Sequence, residues 1–406
     1  MSINYDLIFN NALKDLRQEG RYRVFNNITR KKGEFPKAVY NDQYGIKSDV
    51  TIWCSNDYLG MGQNPLVVDA FVNAVNLVGA GAGGTRNISG TSNYHVELER
   101  ELAKFHNKDG ALIFTSGYIA NECALSTLAK FLKNCIIFSD ENNHASMIEG
   151  IRKGNSEKSI WKHNDVEHLE HLLKNSNPEV PKIVAFESVY SMDGDFAPIE
   201  EIIKVSKKYN ALTYLDEVHG VGLYGKNGGG LSEHLGLTSQ IDIIEGTLAK
   251  GFGLMGGYIT AKYNIIDVIR SFAPGFIFTT SLPPSLAAAA IASVRHVKNN
   301  HSLREALYNR AEKLKKLMVE RNLPIIKNNS HIVPLLVKDP VICKEISDIL
   351  LNEYSIYVQP INYPTVPRGL ERLRFTPTPL HDDLKLETLV NALDKIWKEL
   401  KLARAA

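Results

Sequence analysis

The chain has 406 residues, more than one ordinary hydrophobic core accommodates, so its length predicts two domains. A hydrophobic fraction of 44%, a charged fraction of 23% and a formal net charge of only +2 are typical of a globular protein. Because nucleic-acid binding requires a concentrated basic face, which a nearly neutral chain without charge runs does not provide, we expect no nucleic-acid partner. No stretch approaches the roughly 18 consecutive apolar residues of a membrane span, so no membrane partner is expected either.

The cysteines, at positions 54, 123, 135 and 343, stand apart and form no CxxC pair or Cys/His cluster. Neither a zinc site nor a disulfide framework is indicated, and reduced, buried thiols in a cytosolic protein are the simplest interpretation. The N-terminal segment contains acidic residues and no long apolar run, unlike a secretory signal or an organellar presequence. We therefore expect a cytoplasmic protein.

The middle of the chain alternates short apolar runs with helix-like segments, which predicts an α/β fold. Most runs are continuously apolar, as strands buried on both faces of a mostly parallel sheet are. The predicted strands are 111–115, 135–139, 182–188, 211–216, 241–247 and 256–261.

After about residue 295 the pattern changes to charged amphipathic helices, 301–320 and 383–400, which flank strand-like pieces at 331–337 and 372–377. This pattern predicts a smaller α+β domain. A loop with three prolines, 359–371, is either a rigid connection or a substrate lid. The predicted organisation is an N-terminal segment, a large domain with a mostly parallel sheet and a small C-terminal domain, with the limits 1–49, 50–294 and 295–406.

The pattern GxGxxG occurs at residues 79, 220 and 251, but none of the three copies lies between a strand and a helix as a dinucleotide fingerprint requires. A Rossmann dehydrogenase is therefore disfavoured. No GxxxxGK[ST] is present, so a P-loop enzyme is disfavoured as well.

An acid and an amine follow neighbouring predicted strands. Asp216 ends one strand and Lys250 follows the next, and ligands of such folds bind at the carboxyl ends of the strands. An aspartate that pairs with a ring nitrogen and a lysine that attaches an aldehyde are the minimum equipment for pyridoxal phosphate. Read alone, Asp216 could equally be a helix cap or a loop acid.

The glycines around Lys250, in GTLAKGFG (246–253), are interpreted as making room for a planar cofactor. A strand followed by Ser116, Gly117 and Tyr118 and then by a helical run predicts a phosphate site at a helix N-terminus. Thr247 could add a hydroxyl group to that site.

Three motifs in this order, TSGY (115–118), DEVHGVGLYG (216–225) and GTLAKGFG, resemble those of fold-type I pyridoxal-phosphate enzymes, in particular the α-oxoamine synthases. These enzymes condense an amino acid with an acyl-CoA and release carbon dioxide. The match is closest to the bacterial members of the branch that uses glycine and succinyl-CoA, the first step of haem and tetrapyrrole biosynthesis. Further matching stretches cover nearly the whole chain: 19–25, 54–65, 84–95, 143–152, 187–195, 273–284 and 361–379.

The resemblance implies three catalytic residues. Lys250 would hold the cofactor and act as the general base, Asp216 would pair with the ring nitrogen, and His144 would stack on the ring. Further cofactor contacts are implied for Ser116, Gly117, Tyr118, Ser191, His219, Thr247, Thr279 and Thr280. The last two would reach the phosphate from a second subunit, which implies a homodimer with shared active sites. His163, His168 and His171 lack such a context and are predicted to lie on a solvated helix face.

The resemblance also implies the substrate contacts. Arg374, with Asn56, would bind the carboxylate of glycine, whereas Arg372 is predicted to face the opposite way and to be structural. Thr85 would crowd out larger amino acids. A buried Arg23 together with Thr365 would receive the second carboxylate of succinyl-CoA, and Ser139 and Lys158 would contact the CoA substrate. Lys158 alone could also be an ordinary surface lysine.

Two alternatives remain open at this point. A sister synthase that uses another acyl-CoA, such as 2-amino-3-ketobutyrate CoA ligase or 8-amino-7-oxononanoate synthase, would differ in its donor. A catalytically silent scaffold would keep the fold without the cofactor, but the presence of Lys250 and Asp216 argues against it.

Overall fold

The computed structural model describes residues 3–405. Its α-helices are α1 (Tyr5–Gln18), α2 (Pro65–Val78), α3 (Asn93–Phe105), α4 (Gly117–Phe131), α5 (Ala145–Gly154), α6 (Val166–Asn175), α7 (Ile199–Lys208), α8 (Leu231–His234), α9 (Tyr263–Phe272), α10 (Pro274–Ile277), α11 (Pro284–Asn299), α12 (His301–Glu320), α13 (Pro340–Tyr354) and α14 (Asp383–Glu399). Its strands are β1 (Asn27–Arg30), β2 (Lys37–Asn41), β3 (Lys47–Ile52), β4 (Gly110–Phe114), β5 (Ile136–Asp140), β6 (Glu157–Trp161), β7 (Lys182–Glu187), β8 (Leu212–Asp216), β9 (Ile243–Thr247), β10 (Gly257–Ala261), β11 (Val333–Leu336), β12 (Ile356–Tyr357), β13 (Pro360–Ile361) and β14 (Arg372–Phe375).

These elements form two compact units. The larger unit contains residues 56–190 and 195–305, and the smaller unit contains residues 3–55, 191–194 and 306–405. The predicted domain limits, 1–49, 50–294 and 295–406, stay a prediction.

The larger unit is built on a seven-stranded sheet with the order β4-β10-β9-β8-β7-β5-β6. Only β10 runs antiparallel to its neighbours, and the other pairs are parallel. Every residue of β7 is buried, as a central strand covered on both faces by helices requires. The mostly parallel sheet predicted from the apolar runs is therefore confirmed, and the six predicted strands are all present with ends shifted by at most two residues.

Helix α4 shows how the local sequence positions the site. Ser116 precedes the helix in an extended conformation, and its Oγ accepts a hydrogen bond from Ile119 N, which defines the helix start. The alanines and leucines that follow bury one long face of α4 against the core of the sheet, which includes Ile137 and Ile243. The N-terminus of α4 is thereby held rigidly at the carboxyl edge of the sheet.

The smaller unit contains two sheets, β1-β2-β3-β12 and β11-β14-β13. Its core surrounds Trp53 and Trp397, with helices α13 and α14 contributing most of the aliphatic side chains. The two helices predicted in this region correspond to α12 and α14, and the two predicted strand pieces contain β11 and β14. None of the helices within residues 3–405 combines the length and apolarity of a membrane span.

Candidate active site

Asp216 is the last residue of β8 in the middle of the large sheet, and its side chain is buried. Its two carboxylate oxygens accept hydrogen bonds from different donors: Oδ2 from Asn121 Nδ2 at 2.8 Å, and Oδ1 from Val218 N at 2.8 Å. These two N–H donors fix the orientation of the side chain. The structure thus holds a carboxylate at the strand end where the sequence predicts it.

A buried polar network extends from Asp216 through Asn121 of α4. Asn121 Oδ1 accepts from the hydroxyl group of Tyr214 at 2.8 Å, and Asn121 Nδ2 also donates to Ser146 Oγ at 3.0 Å. Ser146 Oγ in turn lies 2.8 Å from His144 Nδ1. A continuous chain of hydrogen bonds therefore connects Asp216 and His144, which the sequence assigns to the ring nitrogen and the ring face.

His144 caps helix α5 and is oriented from both sides. Its backbone N donates to Glu187 Oε1 at 2.6 Å, and its Nδ1 accepts from the backbone of Ser146. Burial lowers the pKa of His144, and the positive charge of Lys250 lowers it further against the opposing effect of Asp216. The imidazole ring is thus held neutral near pH 7, which suits a flat group that stacks on another ring.

Lys250 lies in the turn after β9, three residues beyond the last strand residue, and is half-buried. Burial raises the pKa of Glu187 and of Glu245, and the ammonium group of Lys250 opposes this effect. For His144, burial and Lys250 both lower the pKa. The amine therefore acts electrostatically on the same buried groups that surround Asp216. The structure brings Lys250 and Asp216 to one edge of the sheet, as predicted.

Glycine is required at the positions around Lys250 for a different reason from the one that the sequence suggests. A Cβ atom at Gly246 would lie 2.5 Å from the ring of Tyr258. A Cβ atom at Gly251 would lie 2.6 Å from the carbonyl oxygen of Val221. Gly253 has a φ of +71° and also approaches backbone atoms of the neighbouring loop. The interpretation as room for a cofactor is wrong for these positions, because protein atoms already occupy the space.

The N-terminus of α4 lies where the sequence predicts a phosphate site. Gly117, its first residue, lies beside Thr247, because a Cβ atom there would be 3.6 Å from Thr247 Oγ1. Gly257 of β10 permits this approach, since a side chain at Gly257 would collide with the backbone of Ser116 and Gly117. Tyr118 follows on the exposed side, with its ring centroid 6.4 Å from that of His144. Backbone N–H groups and hydroxyl groups thus converge at a helix N-terminus, which favours a phosphate group.

His219 follows Asp216 by three residues and is positioned by a tyrosine. The hydroxyl group of Tyr58 lies 2.8 Å from His219 Nδ1 and donates to Asn56 Oδ1 at 3.2 Å. The contact at Nδ1 directs Nε2 toward the opposite side of the ring. The structure therefore brings His219 together with Asn56, although the sequence assigns one to the cofactor and the other to the substrate.

Thr85 and Thr280 form an isolated antiparallel bridge between two loops of the larger unit. Thr85 Oγ1 donates to Asn87 Oδ1 at 2.8 Å, and Thr279 precedes Thr280 in the same loop. Thr280 is exposed and Thr279 is half-buried. Because the bridge holds the two residues side by side, an active site that contains Thr280 also contains Thr85.

Arg374 and Arg372 in β14 both contact the segment 191–194 within the smaller unit. Arg374 Nε donates to the carbonyl oxygen of Ser191 at 2.7 Å, and Arg372 Nη1 donates to Met192 O at 3.0 Å and to Asp193 Oδ1 at 2.7 Å. The prediction that Arg372 faces the opposite way is wrong, because residues two positions apart in a strand share a face. The two arginines together orient the segment that carries Ser191.

Arg23 and Thr365 lie together in the smaller unit although 342 residues separate them in the chain. Arg23 Nη2 donates to Thr365 Oγ1 at 3.2 Å. Both residues are exposed, so the expectation of a buried Arg23 is wrong for the chain as described. A cation beside a hydroxyl group at an accessible position can receive a carboxylate from solution.

Ser139 and Lys158 occupy neighbouring strands, β5 and β6, on the same face of the sheet. Ser139 is buried, and its Oγ accepts from Asn143 Nδ2 at 2.9 Å. Lys158 is exposed on the edge strand, which the sequence prediction had missed. The two residues therefore differ in exposure, and their predicted contact with the CoA substrate stays a prediction.

His163 does not lie on a solvated helix face. Its Nδ1 lies 2.9 Å from Asp140 Oδ1 and its Nε2 lies 2.8 Å from Asp195 Oδ2. Burial lowers the pKa of His163, but the hydrogen bonds and charges of the two aspartates outweigh burial and raise it to about 10. His168 accepts a backbone hydrogen bond from Lys162, and only His171 is exposed as predicted.

Five polar residues of this region were missed by sequence reasoning: Asn121, Ser146, Tyr58, Glu187 and Glu245. Polar residues within helices and strands usually read as surface positions, so composition gave no signal. For Glu187 and Glu245 the acidic residue at the end of an otherwise apolar run was a usable signal.

The donor set fits pyridoxal phosphate. A buried carboxylate suits a protonated ring nitrogen, the cradle at α4 suits a phosphate, and the amine of Lys250 suits an aldehyde. The fold is that of a fold-type I pyridoxal-phosphate-dependent transferase.

Known proteins agree with this class. The family model for aminotransferase class I and II matches residues 48–393. A 5-aminolevulinate synthase from Rhizobium meliloti (strain 1021) is 56% identical over 403 residues, 99% of this chain and 100% of the relative. That of Rickettsia prowazekii (strain Madrid E) is 51% identical over 98% of this chain and 95% of the relative. The solved structure of Sphingomonas wittichii serine palmitoyltransferase is similar with a TM-score of 0.90 at 29% identity over 98% of both chains. That of 8-amino-7-oxononanoate synthase from Francisella tularensis has a TM-score of 0.73 at 26% identity, covering 87% of this chain and 98% of that chain.

The chain therefore belongs to the 5-aminolevulinate synthase family, and it is an acyltransferase. The resemblance to α-oxoamine synthases inferred from the sequence is confirmed.

Proposed function

We propose that the protein condenses glycine with succinyl-CoA to give 5-aminolevulinate, CoA and carbon dioxide, with pyridoxal phosphate held at Lys250. The observation that carries this proposal is the buried Asp216, fixed by Asn121 and Val218, with Lys250 at the same edge of the sheet. Relatives named 5-aminolevulinate synthase at more than 50% identity over nearly the whole chain support the choice of reaction.

When bound, pyridoxal phosphate supplies an electron sink for negative charge that develops at the α-carbon of glycine. Asp216 would pair with the ring nitrogen and keep a proton there, and His144 would supply the flat imidazole for the ring face. His219 would serve the ring hydroxyl group. The N-terminus of α4, with Ser116, Gly117 and Tyr118, would hold the phosphate together with Thr247.

Lys250 Nζ removes a proton from the α-carbon of glycine and later returns a proton to the product. Proton transfer by a positioned side chain accelerates such a step by roughly 10²- to 10⁴-fold. Arg374 binds the carboxylate of glycine through its guanidinium group, which the hydrogen bond to Ser191 O orients. Asn56 orients the amino acid, and Ser191 contacts the cofactor.

Arg23 and Thr365 select the acyl donor. Succinyl-CoA carries a second carboxylate that the guanidinium group of Arg23 can bind, whereas acetyl-CoA offers no group for this contact. Ser139 and Lys158 contact the CoA part of the donor. The pairing of Arg23 with Thr365 favours succinyl-CoA over the donors of the sister synthases.

The active form is a homodimer in the cytoplasm. Thr279 and Thr280 reach the phosphate bound by the other subunit, and the bridge between Thr85 and Thr280 carries Thr85 to the same site. There Thr85 restricts the space for the amino-acid side chain to glycine. A monomer with full activity would contradict this part of the proposal.

The attachment site can be tested directly. We expect borohydride reduction of the cofactor-loaded protein, followed by peptide mass mapping, to find the pyridoxyl modification on Lys250. Lys133, an exposed lysine, is the control and should remain unmodified. Modification of another lysine, or the absence of any bound cofactor, would contradict the proposal.

A further inference from the structure

Three acidic residues form a row across the centre of the large sheet. Glu187 at the end of β7, Asp216 at the end of β8 and Glu245 in β9 are partners in the parallel register. Register partners of parallel strands point to the same face, so the three side chains are neighbours. All three are buried, and Glu245 is completely inaccessible.

The three residues differ in the donors that reach them. Asp216 accepts from Asn121 and Val218, and Glu187 accepts from the backbone N of His144. Neither carboxylate oxygen of Glu245 receives a hydrogen bond from any donor in residues 3–405. A buried carboxylate without donors is costly in its charged form, and it is more costly beside another carboxylate.

Glu245 also adjoins the phosphate cradle. A Cβ atom at Gly117 would lie 3.0 Å from Glu245 Oε1. A helix N-terminus favours anions, but none of its N–H groups donates to Glu245. A charged Glu245 would therefore gain little from α4 and would repel an anion bound there.

Charged and titratable groups that face Glu245 lie on the neighbouring strands and in the turn after β9. Asp216 and Glu187 lie along the row, Lys250 follows β9, and Tyr214 and Tyr258 are on β8 and β10. Burial raises the pKa of Glu245 well above its usual value, and the negative charge of Asp216 raises it further. A hydrogen bond between the two carboxyl groups, which forms only when Glu245 carries a proton, acts in the same direction. The positive charge of Lys250 opposes these effects, but they are together larger.

We infer that Glu245 is a positioning residue that carries a proton and donates it in a hydrogen bond to Asp216, so that Asp216 is the charged member of the pair that meets the cofactor. The inference rests on the proposed function, because it assigns Asp216 to the ring nitrogen. In the neutral form Glu245 fixes the carboxylate of Asp216 without adding a second negative charge near the ring or the phosphate.

The test compares Glu245→Gln, which is neutral and keeps a hydrogen-bond donor, with Glu245→Leu, which is neutral and has none. We expect the apo form of Glu245→Gln to bind pyridoxal phosphate with a dissociation constant within about threefold of that of the unchanged protein. The Leu variant should bind about tenfold more weakly, the effect of losing one hydrogen bond to a charged group. Fluorescence titration of each apo protein measures these constants without an activity assay.

A second measurement addresses the proton itself. The infrared difference spectrum between the unchanged protein and Glu245→Gln at neutral pH should contain the C=O stretch of a protonated carboxyl group. If the difference shows only an ionised carboxylate, or if the Gln and Leu variants bind the cofactor equally, the inference is wrong. The infrared result does not depend on the cofactor, whereas an unchanged protein that fails to bind pyridoxal phosphate would overturn the proposed function instead.

Discussion

The two regions assigned to the reaction differ sharply in burial. In the larger unit Asp216 and Asn121 are buried and joined in a continuous network of hydrogen bonds. In the smaller unit Arg23 and Thr365 are exposed and share one hydrogen bond at 3.2 Å. We infer from this difference that cofactor chemistry depends on a rigid, preorganised set of groups, whereas donor choice depends on a pair that can adjust to its ligand.

The largest effect is expected from breaking the buried network at its centre. Asp216→Asn should lower kcat/KM by roughly 10²- to 10³-fold, because loss of one partner from a buried charge pair costs about 2–5 kcal/mol. Steady-state assays with glycine and succinyl-CoA measure the effect. Asp69→Asn, an exposed change on α2, is the control and should be silent. A loss of less than about tenfold at Asp216 would show that the network does not determine the rate.

A smaller and more selective effect is expected in the exposed pair. Arg23→Leu should lower kcat/KM for succinyl-CoA by about 10- to 100-fold, the range for a lost charged hydrogen bond, and leave that for acetyl-CoA unchanged. Arg23→Lys keeps the positive charge but lacks the planar guanidinium group. Its kcat/KM for succinyl-CoA should lie between that of the original protein and that of Arg23→Leu. Arg17→Leu on α1 is the exposed control. Equal losses for both donors would mean that Arg23 serves the fold rather than the choice of donor.

The smallest effect on activity is expected at the half-buried His163, which lies between two aspartates outside the proposed chemistry and affects stability instead. The pKa of His163 is raised from 6.5 to about 10 in the folded protein. The folded state therefore holds the proton more tightly, so the stabilisation is complete below about pH 6.5 and is lost as the pH rises to 10. The free energy of unfolding of His163→Gln, measured with urea, should be lower than that of the original protein at pH 6.5. At pH 10 the two values should be nearly equal.

His171→Gln, at an exposed histidine, provides the matched control for that series. Its difference from the original protein should stay near zero across the same pH range. If the loss in free energy of unfolding caused by His163→Gln does not change with pH, His163 stabilises the fold through packing rather than through its charge.

The sequence was sufficient for the elements that follow general packing rules. The parallel strands were found because continuous apolar runs indicate burial on both faces, and Asp216 and Lys250 were placed together because such strands end at one edge. The edge strand β6 was missed since most of its residues are exposed and give no apolar run. The short strands β1 to β3 were missed because none of them contains more than three consecutive apolar residues.

The errors at the site arose where three-dimensional contacts decide the role of a residue. The glycines near Lys250 pack against Tyr258 and Val221, which are close only in the folded chain. Arg372 was predicted to face away from Arg374, but residues two positions apart in a strand lie on the same face. His163 was assigned to the surface because its partners, Asp140 and Asp195, are each more than 20 residues away in sequence.

The most direct test of the account is a comparison of acyl donors with the unchanged protein. Initial rates with glycine and either succinyl-CoA or acetyl-CoA, with the product identified by mass spectrometry, give kcat/KM for each donor. We predict 5-aminolevulinate as the product and a preference for succinyl-CoA of at least about 100-fold, since the site is built to bind the second carboxylate. Equal use of acetyl-CoA would contradict the assignment of Arg23 and Thr365 and would place the protein among the sister synthases in specificity.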